Sequence, residues 1–387
     1  MVLHMPWTRN LGAPRVQFEI AEEFVKLGHH VDKFDIHDAF PRSNRLTSFF
    51  HGALFPKRAA QFVRQYGHKY DVIDAHQANL PFSKQELKFE GLLCARSCGL
   101  GHFFFQYEQE AELARRREKR KREGSLAGNA VRWVSKQLGP SLDDYGKSFA
   151  CADLINALNQ DEFQFVTERL GWKDKTVWFP HGLTDERFAQ FDAHTVQPEK
   201  RLAEQQIVFI GYFDSRKGSR DFARIVRLTR QTCPNTRFLL LGTGHSPEFV
   251  LNHFDECDRA YVTVIPSFDQ ADLSTLLSNA TLGIFPSYCE GFGWAVLEKL
   301  AAGVPVIAYD IPGVRETLKF FPEPMMVKPG DTTVLAQRVL YILQLSQSDY
   351  TGLSSKAHHI ANQFRGRDIA IQLLEVYQRR LKQLGKL

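Results

Sequence analysis

The stretch Phe285-Pro-Ser-Tyr-Cys-Glu290-Gly-Phe-Gly-Trp-Ala-Val-Leu-Glu298 decides how the chain is read. It sets one carboxylate just before a helix and a second inside it. The apolar run 281–285 predicts a buried strand, Pro286 and Ser287 a turn, and 293–302 a helix that stops at Gly303. Gly291 and Gly293 ahead of that helix let a ligand approach backbone N–H groups at the positive end of the helix dipole, an arrangement that suits a phosphate.

The spacing of the two carboxylates carries a second message. Eight residues of helix span about 12 Å, roughly the reach from the sugar to the ribose of a sugar nucleotide. A carboxylate accepts hydrogen bonds from the hydroxyls of both. Residues 285–298 resemble the E-x₇-E signature of retaining glycosyltransferases with the GT-B fold (glycosyltransferase family 4 type), a group that includes glycogen synthase and bacterial mannosyltransferases. The resemblance runs on through Lys299-Leu-Ala-Ala-Gly-Val-Pro-Val-Ile-Ala-Tyr-Asp310 and Ile311-Pro-Gly-Val-Arg-Glu316. A solvent-facing helix with two unrelated glutamates is the plain alternative, and it accounts for Glu298 alone. It does not account for loop, cap and following strand together.

Bulk properties set the frame. A chain of 387 residues predicts two domains. With 43% hydrophobic and 24% charged residues, it has the composition of a soluble globular protein. No apolar stretch reaches the length of a membrane span, and the opening Met1-Val-Leu-His-Met-Pro-Trp7 lacks the blocks of a secretory signal. The six cysteines are scattered, with Cys94 and Cys98 the one close pair, which predicts reduced thiols and a cytoplasmic setting. A net charge of +5 does not by itself imply nucleic acid.

Strands and helices alternate along the chain. The first block predicts a helix after Gly12 with Val16, Ile20, Phe24 and Leu27 on one face, then strands at 29–36, 72–75, 92–95, 154–158 and 176–179. Residues 103–149 read as charged and mostly helical, and the polar segment 190–206 as a linker. Beyond it, strands are expected at 207–210, 237–241, 261–265, 281–285 and 304–308, with helices between. Repeated strand–helix units predict parallel sheets with right-handed crossovers, with ligands at the carboxyl ends of the strands. The expected fold is α/β: two Rossmann-like doubly wound domains facing a cleft, as the GT-B resemblance implies. Residues 1–200 would form an acceptor-binding N-terminal domain and 201–365 a nucleotide-sugar domain. The helix within 366–387 crosses back to the first domain on the strength of the resemblance alone.

In the second block, Gly211-Tyr-Phe-Asp-Ser-Arg216-Lys217-Gly218 follows a strand, where Arg216 offers paired hydrogen bonds to a diphosphate and Lys217 a point charge. A solvated basic turn is the alternative. By resemblance Lys217 matches the family's diphosphate lysine, whereas Tyr212 stands where many relatives have Arg. Gly242-Thr-Gly244 reads as a tight turn lining a nucleotide pocket, because a third glycine is lacking. Ser267 and Phe268 occupy the position that borders the base in relatives, or form a plain strand exit. The resemblance assigns donor binding to Gly12, Gly211, Arg216, Lys217, Gly242, Ser267, Phe268, Glu290, Gly291, Phe292, Gly293 and Glu298. Glu290, Lys217 and Arg216 carry the catalytic roles, with Glu290 on the hexose and Glu298 on the ribose.

In the first block, Gly12 of Asn10-Leu-Gly-Ala-Pro-Arg15 sits where relatives usually carry two glycines. His76 ends a strand at the expected cleft, although a lone histidine there is as often structural. Cys98 replaces the family's usual histidine and cannot titrate like imidazole. His102 stands four residues on and would substitute if the loop folds back. His76, Cys98 and His102 are thus the expected acceptor-side residues. Pro180-His181-Gly182 closes the block like an architectural turn.

The run Arg115-Arg-Arg-Glu-Lys-Arg-Lys-Arg122 packs seven positive residues into eight positions. It reads as a solvated helix face or as a patch for an anionic membrane surface or acceptor. No nucleic-acid module accompanies it. The expectation is a retaining, metal-independent hexosyltransferase without cofactor, using a nucleoside-diphosphate sugar and a glycan, lipid or small-molecule acceptor, cytoplasmic and placed at the inner face of a membrane if the basic run binds lipid. The alternatives are a sugar-nucleotide epimerase of the same fold and a non-catalytic binding or scaffold protein derived from a glycosyltransferase, for which Tyr212, Cys98 and the single glycine at Gly12 speak.

Overall fold

The computed structural model describes residues 1–42, 51–119 and 141–386, of which 115–119 by backbone alone. The chain divides into two compact units, Met1–Pro180 with Asp368–Leu387, and His181–Arg367.

The first unit holds a four-stranded parallel sheet, β1 (Val72–His76), β2 (Leu92–Arg96), β3 (Leu154–Ala157) and β4 (Thr176–Trp178), in that order. Val2 adds single bridges to Ala75 and to Phe34. The strand expected at 29–36 is reduced to that one bridge at Phe34. Its end is taken by Asp35, whose carboxylate caps the short helix Ile36–Ala39 by accepting from the backbone N–H groups of His37 and Asp38. The helix Gly366–Gln383 lies in this unit from Asp368 onward, and its Ile369, Leu373, Tyr377 and Leu381 pack against Ile20, Phe24, Leu92 and Cys94. A buried polar knot fixes it: Tyr377 Oη donates to Asp74 Oδ2 at 2.5 Å, and Arg96 Nε reaches both Asp74 oxygens at 3.0 Å.

The second unit is a six-stranded parallel sheet: β5 (Gln206–Ile210), β6 (Arg237–Leu241), β7 (Val262–Ile265), β8 (Leu282–Phe285), β9 (Val306–Tyr309) and β10 (Met326–Val327), in the order β10-β9-β8-β5-β6-β7. The order reverses between β5 and β8, and such a switch point leaves a crevice at the carboxyl ends of the strands. The two-residue β10 was not expected from sequence.

Residues 181–200, placed with the first domain by sequence, belong to the second unit. The reason is backbone pairing: Leu183 N–H donates to Phe364 O at 2.9 Å and Gly366 N–H to Leu183 O at 2.8 Å. Nor is 190–206 a linker. It holds the last turn of the helix Asp185–Ala193 and all of Pro198–Glu204, and Arg201 is almost wholly buried, donating to Ser278 O at 2.9 Å and Ala302 O at 2.7 Å. The polar segment is held in the fold by its one buried arginine, which serves the backbone of neighbouring elements.

Candidate donor site

Three loops at the carboxyl ends of β5, β6 and β8 build the site in the second unit. After β5, the chain turns at Gly211, and Asp214 closes the loop by accepting from the backbone of Lys217 at 2.8 Å. Gly218, at φ +82°, caps the helix Ser219–Thr232. A Cβ there would lie 2.2 Å from Pro286 O, so only glycine lets the β5 and β8 loops meet. Tyr288 N–H then donates to Arg216 O at 2.8 Å, locking the two loops together.

That clamp brings three charges to one point. Glu290 Oε1 lies 2.7 Å from Lys217 Nζ and 2.7 Å from Arg216 Nη1, and Arg216 Nη1 also donates to Cys289 O at 3.0 Å. Burial alone would raise the Glu290 carboxyl, yet Lys217 and Arg216 outweigh it and hold the group below the ordinary carboxylate range. Gly293, at φ +80°, caps the helix Trp294–Ala301, whose positive end faces the loop that carries Glu290. Arg216, Lys217, Glu290, Gly291 and Gly293, expected from sequence to bind a donor, thus fall in one region. Phe292 is different: its ring is buried against His181, Trp294 and Phe364, which leaves only its backbone for a ligand.

Glu298 is 2% exposed and paired to Arg187 Nη2 at 3.1 Å. Arg187 also donates to Gln270 O at 2.6 Å, tying the helix Asp185–Ala193 to the segment after Phe268. Sequence reasoning missed Arg187. Its one signal is an arginine in the first turn of a helix, behind Thr184, which caps that helix. Phe268 packs on Gly242, where a Cβ would lie 3.1 Å from its ring, while Ser267 is exposed. Tyr212 is half exposed. Its ring covers Gly244 and tilts against His245, the centroids 4.8 Å apart.

In the first unit Gly12 opens the helix Gly12–Lys26 with open space where a Cβ would stand. His76 is buried beside His4, the rings 5.3 Å apart, and burial with that neighbour pushes it down to about 3, so it stays neutral. Cys98 is a poor nucleophile, because burial drives its thiol pKa up. His102 sits in the first turn of the helix Gly101–Lys119 and packs against Phe165 and Tyr145. The loop between Cys98 and His102 is held by a residue that sequence reasoning also missed. Glu162 accepts from Leu100 N–H at 2.7 Å and Leu158 N–H at 3.0 Å, and burial lifts its carboxyl to about 7.

Of the basic run 115–122, the backbone of 115–119 continues the helix from Gly101. Residues 120–122 lie outside the described residues, as do all the side chains of the run. Among the described residues no three His, Cys, Asp or Glu gather as a metal cluster, and no helix is long and apolar enough to cross a membrane.

Comparison with known proteins places this geometry in a class. Residues 204–345 match the family described as Glycosyl transferases group 1. The structure resembles sucrose-phosphate synthase from Thermosynechococcus elongatus, with a TM-score of 0.71 and 19% identity over 98% of each chain. It also resembles Anabaena HepE in complex with UDP and glucose, with a TM-score of 0.64 and 15% identity over 98% of each chain. The architecture is therefore the GT-B fold, and residues 204–345 carry a glycosyl transferases group 1 domain. Among curated relatives, glycogen synthase of Mycobacterium tuberculosis is 23% identical over 46% of this chain and 43% of its own length. The capsular polysaccharide biosynthesis glycosyltransferase CapM of Staphylococcus aureus is 22% identical over 61% of this chain and 63% of its own. The chain thus matches less than two thirds of the length of either relative.

Proposed function

We propose that the chain is a retaining glycosyltransferase that moves a hexose from a nucleoside-diphosphate sugar to an acceptor hydroxyl without a metal. The observation that carries this reading is the shared position of Arg216 and Lys217 on Glu290 at the mouth of the Trp294–Ala301 helix. Two cations and a helix N-terminus offset diphosphate charge in the role a metal plays elsewhere. On donor binding the diphosphate takes over Lys217 and Arg216. Glu290 is thereby released toward the sugar, where its charge favours the cation-like transition state. Glu298, held by Arg187, receives the ribose hydroxyls. The acceptor proton leaves with the departing phosphate at the same face, so no side chain is assigned as general base. His76, neutral and buried, and Cys98, undissociated, fit acceptor positioning and not proton transfer. The basic run 115–122 is proposed as a contact for anionic lipid headgroups, to be tested by salt-dependent binding to anionic against neutral vesicles.

The test is calorimetry with UDP, GDP and ADP, followed by turnover of UDP-glucose, GDP-mannose and ADP-glucose and NMR of the product's anomeric configuration. Binding of one nucleotide with turnover and retention is expected. Binding without turnover of any sugar nucleotide would favour the scaffold alternative, and no binding would remove the donor-site reading.

A further inference from the structure

Lys299 follows Glu298 on the Trp294–Ala301 helix, yet it is a lysine with no exposed surface. Lysine is rarely buried unless paired, and no carboxylate pairs with this one among the described residues. Its ammonium has a single hydrogen-bond acceptor, Ile284 O at 3.3 Å. The fold makes room for it deliberately: a Cβ on Gly283 would stand 2.4 Å from Lys299 Cδ, so glycine in β8 is what admits the side chain. The stem runs along β8 toward its carboxyl end, where the amine lies 5.4 Å from the centre of the Phe285 ring. Lys217 Nζ lies 5.1 Å from the centre of the same ring.

The surrounding charges are these. Lys217, on the β5 loop, repels a proton on Lys299, and Glu298 on its own helix attracts one. Lys217 is itself engaged by Glu290, and Glu298 by Arg187. The other neighbours of this helix bring polar groups occupied elsewhere. His358 of the helix Gln347–Ala361 bonds Ala301 O at 2.9 Å, Tyr309 of β9 donates to Asp221, and Glu316 of the helix Val314–Leu318 pairs with Lys319. Burial, with Lys217 next, brings Lys299 down to about 7. Without Lys299 the site is balanced, Arg187, Arg216 and Lys217 standing against Asp214, Glu290 and Glu298. An incoming diphosphate that takes Lys217 and Arg216 from Glu290 leaves the site with a net negative charge.

We propose that Lys299 is a further positioning residue of the donor site, a buried amine beneath β8 without a carboxylate partner that takes up a proton when the diphosphate arrives. The proposal rests on the donor-site reading above. It puts a reserve positive charge behind Phe285 that is completed only with the ligand, whose negative charge then compensates the buried ammonium.

The experiment is calorimetric titration of the whole chain with UDP, GDP and ADP at pH 8 in buffers of different ionisation enthalpy. At that pH the nucleotide's terminal phosphate, which loses its last proton near pH 6, is already ionised. Uptake approaching one proton per nucleotide is expected. Affinity should fall by about tenfold per pH unit above pH 8, the slope for one linked proton. Lys299→Met should remove both the uptake and the slope, and Lys299→Gln should repeat the result if the Met variant folds poorly. Nucleotide binding without proton uptake, or uptake that persists in both variants, would overturn the proposal and leave the donor site standing. No binding of any of the three nucleotides by the parent would overturn the donor-site reading and the proposal with it.

Discussion

Glu290 and Lys217 form a contact of 2.7 Å between carboxylate and ammonium, and Arg216 shares the same carboxylate oxygen. The groups that suit a diphosphate are thus the groups that hold the carboxylate meant for the sugar. On the proposed function, ligand binding at this site would be an exchange of anions on two cations, with Glu290 competing with the phosphates until the exchange occurs.

That competition separates binding from turnover in Glu290→Gln. The amide keeps the shape but releases Lys217 and Arg216. Affinity for the bare nucleoside diphosphate should therefore rise several-fold, measured by calorimetry. Turnover of the sugar nucleotide should fall by about 10² or more, the scale for losing one preorganised electrostatic group. Weaker nucleotide binding in this variant would contradict the exchange.

Lys217→Ala removes one of the two cations. Losing a hydrogen bond to a charged group costs about 1.5–3 kcal/mol, so nucleotide affinity should drop at least about tenfold. Because Lys217 and Glu290 touch, the two substitutions should not add. Glu290→Gln made in the Lys217→Ala background should gain less affinity than in the parent. Additive effects in the double-mutant cycle would show that the pair is not shared with the ligand.

Much of this site is legible in the sequence because it is local. Residues 282–301 hold strand, loop, cap and helix within one uninterrupted stretch, and glycine spacing reports the close approach of backbone directly. Arg187 is not legible in that way. It meets Glu298 across 111 residues of sequence, and nothing local to either marks the pair. Lys299 escapes for the opposite reason: it directly follows the signature on the same helix, where a lysine ordinarily signals solvent. The supposed linker failed similarly, since Arg201 looks solvated by type and is buried by its backbone acceptors. The short β10 has too few residues for any period to show.

The Arg187–Glu298 pair yields a stability prediction. Both side chains are nearly buried, 9% and 3% exposed. Removing one partner of a buried ion pair costs about 3–5 kcal/mol, because the other charge is left without compensation. Glu298→Gln should therefore lower the urea midpoint as well as weaken nucleotide binding through the ribose. Adding Arg187→Met should restore much of the stability but not the binding. A Glu298→Gln variant with parental stability would mean that Arg187 is satisfied by Gln190 and Gln270 without the carboxylate.

Lys299 supplies the pH dependence of stability, and its sign is opposite to that of a paired lysine. Its ordinary value of 10.5 falls to about 7 in the folded chain. Between those values the unfolded chain binds the extra proton, so stability rises with pH across that window. Below about pH 7 both states are protonated and the full cost of the buried ammonium is present. As pH climbs toward the unfolded value, the cost disappears. Lys299→Met, which keeps the apolar stem and drops the amine, should therefore melt above the parent at pH 7, and the difference should shrink steadily toward pH 10. Thermal melts of both chains at half-unit pH steps measure this directly. A difference that stays constant with pH would assign the change to packing and leave no titrating amine at position 299.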